Sequence, residues 1–205
     1  MNRDIPEFSL QRMPIYLNFL RTLPDDGTYN YISSGAIAQA LGLGEVLVRK
    51  HLAYTGCAGR PKVGYPRVEL IAALEKFLCV NDSKCAVIVG AGGLGSALLS
   101  YGGFTNYGIE LSCAFDNDPK KIGTYIGGKP VLPVDGLNEG CKKYGAVLAI
   151  IAVPAAAAQT TAELLIKAGI KAILNFAPVQ ITAGDDVKVI NIDVAANLAI
   201  LASML

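Results

Sequence analysis

A glycine-rich turn between an apolar run and an Ala/Leu-rich stretch constrains this chain more than any other feature. In VIVGAGGLGSALLSYGGF, residues 87–104, a strand-like run leads straight into Gly90, Ala91, Gly92, Gly93, Leu94 and Gly95. A strand, a glycine turn and a helix in this order are typical of sites that hold a dinucleotide pyrophosphate, because the glycines let the backbone approach the phosphates. We therefore expect residues 90–95 to contact a nucleotide at a helix N-terminus.

An acidic residue at the end of the next apolar run supports this interpretation. The run LSCAFD ends at Asp116, 21 residues after Gly95, which is the spacing at which a carboxylate meets the adenine ribose hydroxyls. A carboxylate there repels a 2′-phosphate, and Asp118 adds to the repulsion, so the pattern favours NAD over NADP. The alternative is that Asp116 only caps a helix that starts near Pro119.

The chain has two parts of different character, and the change falls between Asn81 and Lys84. Of the 18 Lys and Arg residues, 10 lie within the first 84 positions. Beyond them, short Val/Ile/Ala runs alternate with helical stretches, which predicts a parallel sheet with right-handed crossovers. The expected fold class is α/β: a winged helix-turn-helix domain over residues 1–82, a Rossmann-like parallel-sheet domain over residues 83–192 and a C-terminal helix over residues 193–205.

The first part predicts two short helices joined by a tight turn. Ser33 or Ser34 can cap a helix that runs to Leu41, and Gly42 supplies its left-handed stop. A second helix covers roughly residues 45–55. Two helices joined in this way are the helix-turn-helix pattern.

The second of these helices has an apolar side and a basic side. The apolar side comprises Leu47, Val48, Leu52 and Thr55. Arg49 and Lys50 fall largely on the other side, and the following CAGRPKVGYP predicts a basic hairpin that carries Arg60 and Lys62. A helix with such a wing can enter the major groove while the wing meets the minor groove, which predicts DNA binding. The alternative is the solvated face of an ordinary small helix.

The second part lacks the residues that would move a proton during hydride transfer. The only histidine, His51, lies on the predicted recognition helix, where we expect half-buried packing. Tyr125 and Lys129 have the Tyr-x-x-x-Lys spacing of short-chain dehydrogenases, but the two glycines between them favour a turn. No stretch remains for a substrate domain. A nucleotide sensor is therefore favoured, with an NAD-dependent oxidoreductase carrying an N-terminal interaction module as the alternative.

The C-terminal stretch VAANLAILASML, residues 194–205, contains no charged residue. It predicts a helix that is buried in protein and too short to cross a membrane. A partner subunit could cover it, and a dimer would suit two DNA half-sites. Asp193 is placed to cap this helix or to meet a polar group across the interface. Docking on the chain's own domain is the alternative.

The composition limits which other classes of protein this chain can belong to. Hydrophobic residues make up 52% and charged residues 17% of the chain, and the net charge is +1, so we expect a folded core without a polybasic surface. Five cysteines without a C-x-x-C pair, and no signal-peptide pattern, indicate a soluble protein of the reducing cytoplasm. A thiol switch at Cys57 is a third functional hypothesis. Neither a metal nor a membrane is expected as a partner.

Several long stretches resemble the Rex family of NADH-responsive transcriptional repressors. They are LQRMPIYLNFL, VRKHLAYTG with GRPKVGY, VGAGGLGSALLSYGGF, AFDNDPKKIG, AVPAAAAQ, AGIKAILNFAPV and NIDVAANL. The resemblance implies a homodimer with an exchanged (domain-swapped) C-terminal helix and a winged-helix domain on operator DNA. It also implies a Rossmann domain that binds NADH or NAD⁺, with release from DNA when NADH binds.

The resemblance also implies site residues. The cofactor set comprises Gly90, Ala91, Gly92, Gly93, Leu94, Gly95, Tyr101, Asp116, Asn117, Lys121, Val153, Pro154, Asn175, Phe176 and Asp193. Within it, Tyr101 matches a tyrosine near the nicotinamide and Asp193 an aspartate that responds to the cofactor state. The DNA set comprises Arg12, Tyr16, Ser33, Ser34, Arg49, Lys50, Tyr54, Arg60 and Lys62.

Three departures from the family pattern bear on DNA recognition. The family's V-R-K-D-L-S is changed by His51 and Ala53, and its G-x-R-G-V-G-Y wing is changed by Pro61 and Lys62. Asn18 stands where some members carry an arginine. These changes concern the operator sequence and the coupling, and they leave the glycine turn intact.

Overall fold

The structure is a computed structural model that describes residues 5–205. The chain divides between Asp82 and Ser83 into two compact units. Within residues 5–205, no helix combines the length and the apolar character that a membrane span requires.

Residues 5–82 of the first unit form four helices and one two-stranded sheet. In chain order the elements are α1 (Glu7–Thr22), β1 (Tyr31–Ile32), α2 (Ser34–Leu41), α3 (Glu45–Ala53), β2 (Tyr65–Pro66) and α4 (Arg67–Phe77). Strands β1 and β2 pair antiparallel, and Arg60 and Gly64 close a hairpin just before β2. This arrangement confirms the predicted winged helix-turn-helix.

Local signals set the limits of α2 and α3. The Ser33 hydroxyl accepts a hydrogen bond from the Ala36 amide at 3.0 Å and caps α2. Gly42 ends α2 in the left-handed region at φ 64°. Helix α3 stops at Ala53, two residues earlier than predicted, and the Thr55 hydroxyl donates to the Leu52 carbonyl at 2.6 Å.

The buried side of α3 differs from the prediction at Leu47 and His51, and Thr55 lies beyond the end of the helix. Val48, His51 and Leu52 are buried, at a spacing of three and four residues that keeps them on one side of the helix. Leu47 is rotated away from that side and is 41% exposed. His51, expected to be half-buried, is therefore part of the core.

The second unit is a doubly wound α/β domain built on a seven-stranded sheet. Its strands are β3 (Lys84–Val89), β4 (Ile109–Asp116), β5 (Tyr125–Ile126), β6 (Lys129–Pro133), β7 (Ala146–Ile151), β8 (Ala172–Asn175) and β9 (Lys188–Asn191). Between them lie α5 (Gly93–Ser100), α6 (Leu137–Tyr144), α7 (Ala155–Lys167) and short 3-10 helices at Gly102–Tyr107 and Val134–Gly136. The order is β5-β6-β4-β3-β7-β8-β9, and every pair except β5–β6 is parallel. The β5–β6 hairpin confirms the predicted turn between Tyr125 and Lys129.

Helices cover both faces of this sheet. Successive side chains of a strand point to opposite faces, and in β3 Val87 and Val89 pack in the cluster that contains Leu165 of α7. Ala86 and Ile88 pack in the cluster that contains Leu99 of α5. Because both faces are covered, residues 85–89 of β3 and the whole of β7 are apolar, as their sequence indicates.

The strand order fixes where a ligand can bind. From β3 the chain crosses to β4 and β6 on one side, and β7 then lies on the other side of β3. The carboxyl ends of β3 and β7 therefore flank the topological switch point, which is where ligands bind in open α/β sheets.

The last helix, α8 (Val194–Ala202), contains no buried residue. The Asp193 carboxylate accepts a hydrogen bond from the Ala196 amide at 2.8 Å, which confirms the predicted cap. Val194, Leu198 and Leu201 are 60–66% exposed. The helix is not covered by its own protomer, so docking on the chain's own domain is wrong.

Candidate nucleotide site and nucleic-acid interface

Three glycines of the turn 90–95 have different physical roles. Gly90 follows β3 at φ 102°, and a Cβ there would collide with the Ala152 carbonyl after β7. A Cβ on Gly95 would collide with the Gly90 carbonyl oxygen, so the first turn of α5 packs directly on the loop. Around the Cβ position of Gly92, no heavy atom of residues 5–205 other than its chain neighbours lies within 4 Å. The first and third glycines close the turn, and the second leaves the N-terminus of α5 open to an anion.

A cavity of about 610 Å³ opens beside this turn, a volume typical of small-molecule sites. The predicted cofactor residues in its wall are Gly90, Gly92, Asp116, Asn117, Lys121, Val153 and Pro154. One face of α7 completes the wall and was not predicted; it consists of Ala157, Thr160, Thr161 and Leu164. Their i, i+3, i+4, i+7 spacing is the signal that could have found them.

Asp116 is a buried anion that ties the end of β4 to the glycine turn. Its Oδ2 accepts from the Ala91 amide at 2.7 Å and from the Lys121 ammonium at 3.1 Å, and its Oδ1 accepts from the Asp118 amide at 2.8 Å. Burial raises the pKa of the Asp116 carboxyl, but these hydrogen bonds and the Lys121 charge outweigh burial, so the pKa lies below its ordinary value.

The carboxylate of Asp116 retains acceptor capacity for a ribose hydroxyl. Its two oxygens offer about four lone-pair positions, and the protein fills three of them. The alternative of a helix cap at Asp116 is wrong, because residues 119–123 form turns and not a helix.

Four exposed cations of the first unit lie on α3 and on the hairpin, and two more, Arg21 and Lys76, lie on α1 and α4. Arg49, Arg60 and Lys62 line a cavity of about 440 Å³ together with Ser33, and Lys50 is exposed on α3. Arg60 lies 5.3 Å from the centroid of the Tyr31 ring and donates to its hydroxyl at 2.8 Å. Contacts within the unit thus restrict the Arg60 side chain before any nucleic acid arrives.

Comparison with known proteins identifies the family of this chain. Residues 81–179 match the family described as CoA binding domain, and residues 4–52 match the putative DNA-binding protein N-terminus. The redox-sensing transcriptional repressor Rex of Treponema denticola is 43% identical over 197 residues, 96% of this chain and 93% of that protein. The Rex repressor of Carboxydothermus hydrogenoformans is 44% identical over 96% of this chain and 94% of its own. The chain belongs to the Rex family.

Solved structures of the Rex-family repressor RSP share the whole architecture. RSP in complex with β-NAD⁺ and operator DNA superimposes with a TM-score of 0.92 at 29% identity, over 99% of this chain and 93% of RSP. RSP in complex with β-NADH gives a TM-score of 0.87 at 28% identity, over 99% and 95%. Both domains of the Rex fold are therefore present here.

Two residues predicted to contact DNA are instead buried in this Rex-family chain. Tyr16 is fully buried, and its hydroxyl lies 2.7 Å from Nδ1 of His51 in a hydrogen bond. The Ser34 side chain is buried and donates to the Glu45 carboxylate at 3.2 Å. These contacts join α1 and α2 to α3, so both residues hold α3 in place. Arg12 and Tyr54 are half-buried.

Several predicted cofactor residues lie outside the cavity beside the Rex glycine turn. Asn175 is fully buried, and its amide donates to the Val179 carbonyl at 2.7 Å and to Oδ1 of Asn191 at 2.8 Å, so it braces the loop after β8. The prediction that Asn175 belongs to the cofactor site stays a prediction. Tyr101 is 61% exposed and packs edge-to-face on Phe104 at 5.4 Å. Phe176 is half-buried, and Asp193 caps α8.

Proposed function

We propose that this chain is a cytoplasmic, homodimeric repressor that binds operator DNA and leaves it when NADH binds. One observation carries the proposal: a Rex-family chain combines a basic helix-and-hairpin surface with a glycine turn that opens a helix N-terminus to an anion. The first feature suits a duplex, and the second suits a dinucleotide pyrophosphate.

The nucleotide part of the proposal rests on the turn and on Asp116. The pyrophosphate would lie at Gly92 and the N-terminus of α5, where the added charge meets the positive end of the helix dipole. The adenine ribose would reach Asp116 at the end of β4. Because Asp116 is ionised at neutral pH, a 2′-phosphate would be repelled, which favours NADH and NAD⁺ over their phosphorylated forms.

The DNA part rests on the exposed cations. Helix α3 would enter the major groove with Arg49 and Lys50, and the hairpin would bring Arg60 and Lys62 to the adjacent groove or backbone. RSP provides the precedent, since its complex contains operator DNA and β-NAD⁺ together. Phosphate contacts would make the binding strongly salt-dependent.

Coupling between the two sites requires two dimer geometries with different affinities for NADH. We propose that α8 is exchanged with a second chain, which would cover the apolar side chains that its own protomer leaves exposed. The oxidised nicotinamide is positively charged and the reduced ring is neutral, so nearby polar groups rearrange. Tyr101 and Asp193 are the residues we assign to this response. NADH would favour a dimer in which the spacing of the two recognition helices no longer matches two DNA half-sites.

The redox signal is assigned to the cofactor and not to a thiol. Burial, followed by the charge of Glu69, raises the pKa of the Cys57 thiol, and the thiolate is the form that reacts with oxidants. Turnover of NADH is not expected, because the relatives are named as repressors.

A gel shift with palindromic AT-rich operator DNA, titrated separately with NADH and NAD⁺, tests the proposal. We expect NADH to release the DNA at concentrations at which NAD⁺ does not. Retention of the complex at saturating NADH, shown by a parallel fluorescence titration, would contradict it. Asp116→Ala should weaken the NADH response while leaving DNA binding in the absence of NADH unchanged.

A further inference from the structure

An acidic side chain lies among the cations of the first unit. Glu45 is the first residue of α3, and it lines the same cavity as Arg49, Arg60 and Lys62. Its side chain is 52% exposed. A carboxylate at this position repels DNA phosphates, so its presence lowers affinity for nucleic acid in general and needs a different explanation.

The contacts of Glu45 link it to two elements of the DNA surface. Its Oε1 accepts from Nη2 of Arg49 at 2.8 Å and from the Ser34 hydroxyl at 3.2 Å. Its Oε2 lies 3.4 Å from the position that a Cβ would take on Gly35, in the first turn of α2. The carboxylate therefore sits at the N-terminus of α2 while it holds the guanidinium of the recognition helix.

A phosphate and a base edge would meet this arrangement differently. A phosphate that approaches Arg49 must compete with an anion already in contact with the guanidinium, and the two anions repel each other. The acceptors of a guanine edge carry no net charge, and arginine has five N–H donors, so Arg49 can keep its contact with Glu45 while it donates to a base. The ion pair is half-exposed and hence weak. It therefore favours the contact of Arg49 with a base over its contact with a phosphate and does not prevent DNA binding.

Resting on the proposed function, we infer that Glu45 is a specificity-determining residue that positions Arg49 for base contact and selectively weakens its contact with phosphates. The ratio of operator affinity to affinity for unrelated DNA is then higher than the cations alone would give. Loss of a purely structural link between α2 and α3 would lower operator affinity without tightening the binding of unrelated DNA, whereas the proposed role of Glu45 predicts that tightening.

The test compares Glu45→Gln with Glu69→Gln, which removes the same charge from an exposed position in the first turn of α4. Dissociation constants are measured for an operator fragment and for a scrambled fragment of equal length across a salt series. For E45Q we expect tighter binding of the scrambled fragment and a specificity ratio about two- to fivefold lower, the scale of one exposed ion pair. The salt slope for scrambled DNA should steepen by up to about one unit. For E69Q the ratio should stay at the wild-type value.

Two further variants distinguish the effect of the position of the Glu45 carboxylate from the effect of its charge. Glu45→Asp keeps the charge and shortens the side chain, so it should bind scrambled DNA as the wild type does and still lose part of the ratio. In an Arg49→Ala background, E45Q should no longer change the ratio, because the two residues act together. Thermal unfolding of each variant shows whether the domain is intact, and E45D carries the test if E45Q does not fold.

Three results would overturn the inference. An unchanged ratio in both E45Q and E45D would exclude Glu45 from discrimination. A loss of operator affinity in E45Q with unchanged binding to scrambled DNA would show that Glu45 is a structural link only or itself contacts a base. A ratio that changes equally in E69Q would reduce the effect to net charge. Failure of the wild type to prefer any palindromic operator would instead refute the proposed function.

Discussion

The nucleotide crevice is shaped by main chain, whereas the DNA-facing surface is shaped by long side chains. In the crevice, the Gly90 carbonyl lies where a Cβ of Gly95 would be, and the Ala91 amide binds a buried carboxylate. On the DNA surface, Arg49 and Arg60 are exposed and are positioned by single contacts with Glu45 and Tyr31. Close packing tolerates little added volume, whereas the loss of one exposed ion pair or hydrogen bond changes the free energy only slightly. We therefore expect substitutions in the crevice to have the larger effects.

The largest effect is expected for Gly95→Ala. The added methyl group would collide with the Gly90 carbonyl oxygen, so α5 must move away from the turn, at a cost of about 3 kcal/mol or more. We expect loss of NADH binding by fluorescence titration, a lower unfolding temperature and an operator complex that no longer responds to NADH. Gly184→Ala is the matched control, because in the described part of the chain no residue beyond its neighbours surrounds its Cβ position and it lies outside the nucleotide cavity. Normal NADH binding by G95A would refute the close packing of α5 on the turn.

Asp116→Asn should come next. Asparagine has one acceptor oxygen where aspartate has two, so it cannot satisfy Ala91, Asp118 and Lys121 together. We expect a loss of about 2 kcal/mol in the unfolding free energy at neutral pH and about tenfold weaker NADH binding.

The same variant predicts a pH dependence. Because the folded pKa of Asp116 is below its ordinary value, the stabilisation is complete above an unfolded pKa of about 3.9 and is lost as the pH falls through the folded pKa. The difference in unfolding free energy between wild type and D116N should therefore shrink in acid. A constant difference down to about pH 2 would contradict this assignment.

His51 should give the first unit a milder acid sensitivity. Burial, with the charges of Arg12 and Lys50, lowers the pKa of the His51 imidazole. The unfolded chain then binds more protons, so stability is complete above about pH 6.5 and decreases as the pH falls towards the folded pKa. His51→Asn keeps a polar atom near the Tyr16 hydroxyl without titrating, and its thermal unfolding should depend less on pH between about 7 and 5.

Tyr16→Phe provides the comparison for that measurement. It removes the hydroxyl that lies 2.7 Å from Nδ1 of His51 and should cost about 1 kcal/mol at neutral pH. The titrating imidazole remains, so the acid dependence should persist. Identical pH profiles for wild type and H51N would exclude His51 as its source.

The smallest effect is expected for Tyr31→Phe. The ring under Arg60 remains and only the hydroxyl that accepts from its guanidinium is lost, so operator affinity should fall about two- to threefold. Arg60→Ala should weaken binding further and reduce the salt slope by about one unit, if the side chain meets a phosphate. Equal effects of the two variants would mean that Tyr31 contributes more than orientation.

The same contrast explains what could be predicted from the sequence. The packing of Gly95 on Gly90, the cap at Asp193 and the stop at Gly42 depend on contacts within a few residues, so their patterns are local. The place of Tyr16 depends on His51, 35 positions away, and that of Asn175 on Asn191 in the next strand. Polar side chains with distant partners resemble surface residues in a sequence. Only the folded chain shows that they are buried and hydrogen-bonded inside the protein.

The DNA surface illustrates the second limit of sequence reasoning. Periodicity places Arg49 and Lys50 on one side of α3, and the structure agrees. It does not show that Glu45 holds Arg49, or that Ser34 points inward to Glu45. Charge patterns predict where a surface is basic, while the pairs within it decide which of its cations are free to act.

Because α8 is not covered by its own chain, the proposed exchange makes regulation depend on the cellular concentration of this protein. If two chains exchange α8, as proposed above, association covers a helix that has no buried residue in its own chain, and the paired fraction then follows mass action. A cell that makes half as much of this repressor would hold less than half as many paired molecules. Operator occupancy would then respond to synthesis and dilution during growth as well as to the ratio of reduced to oxidised cofactor.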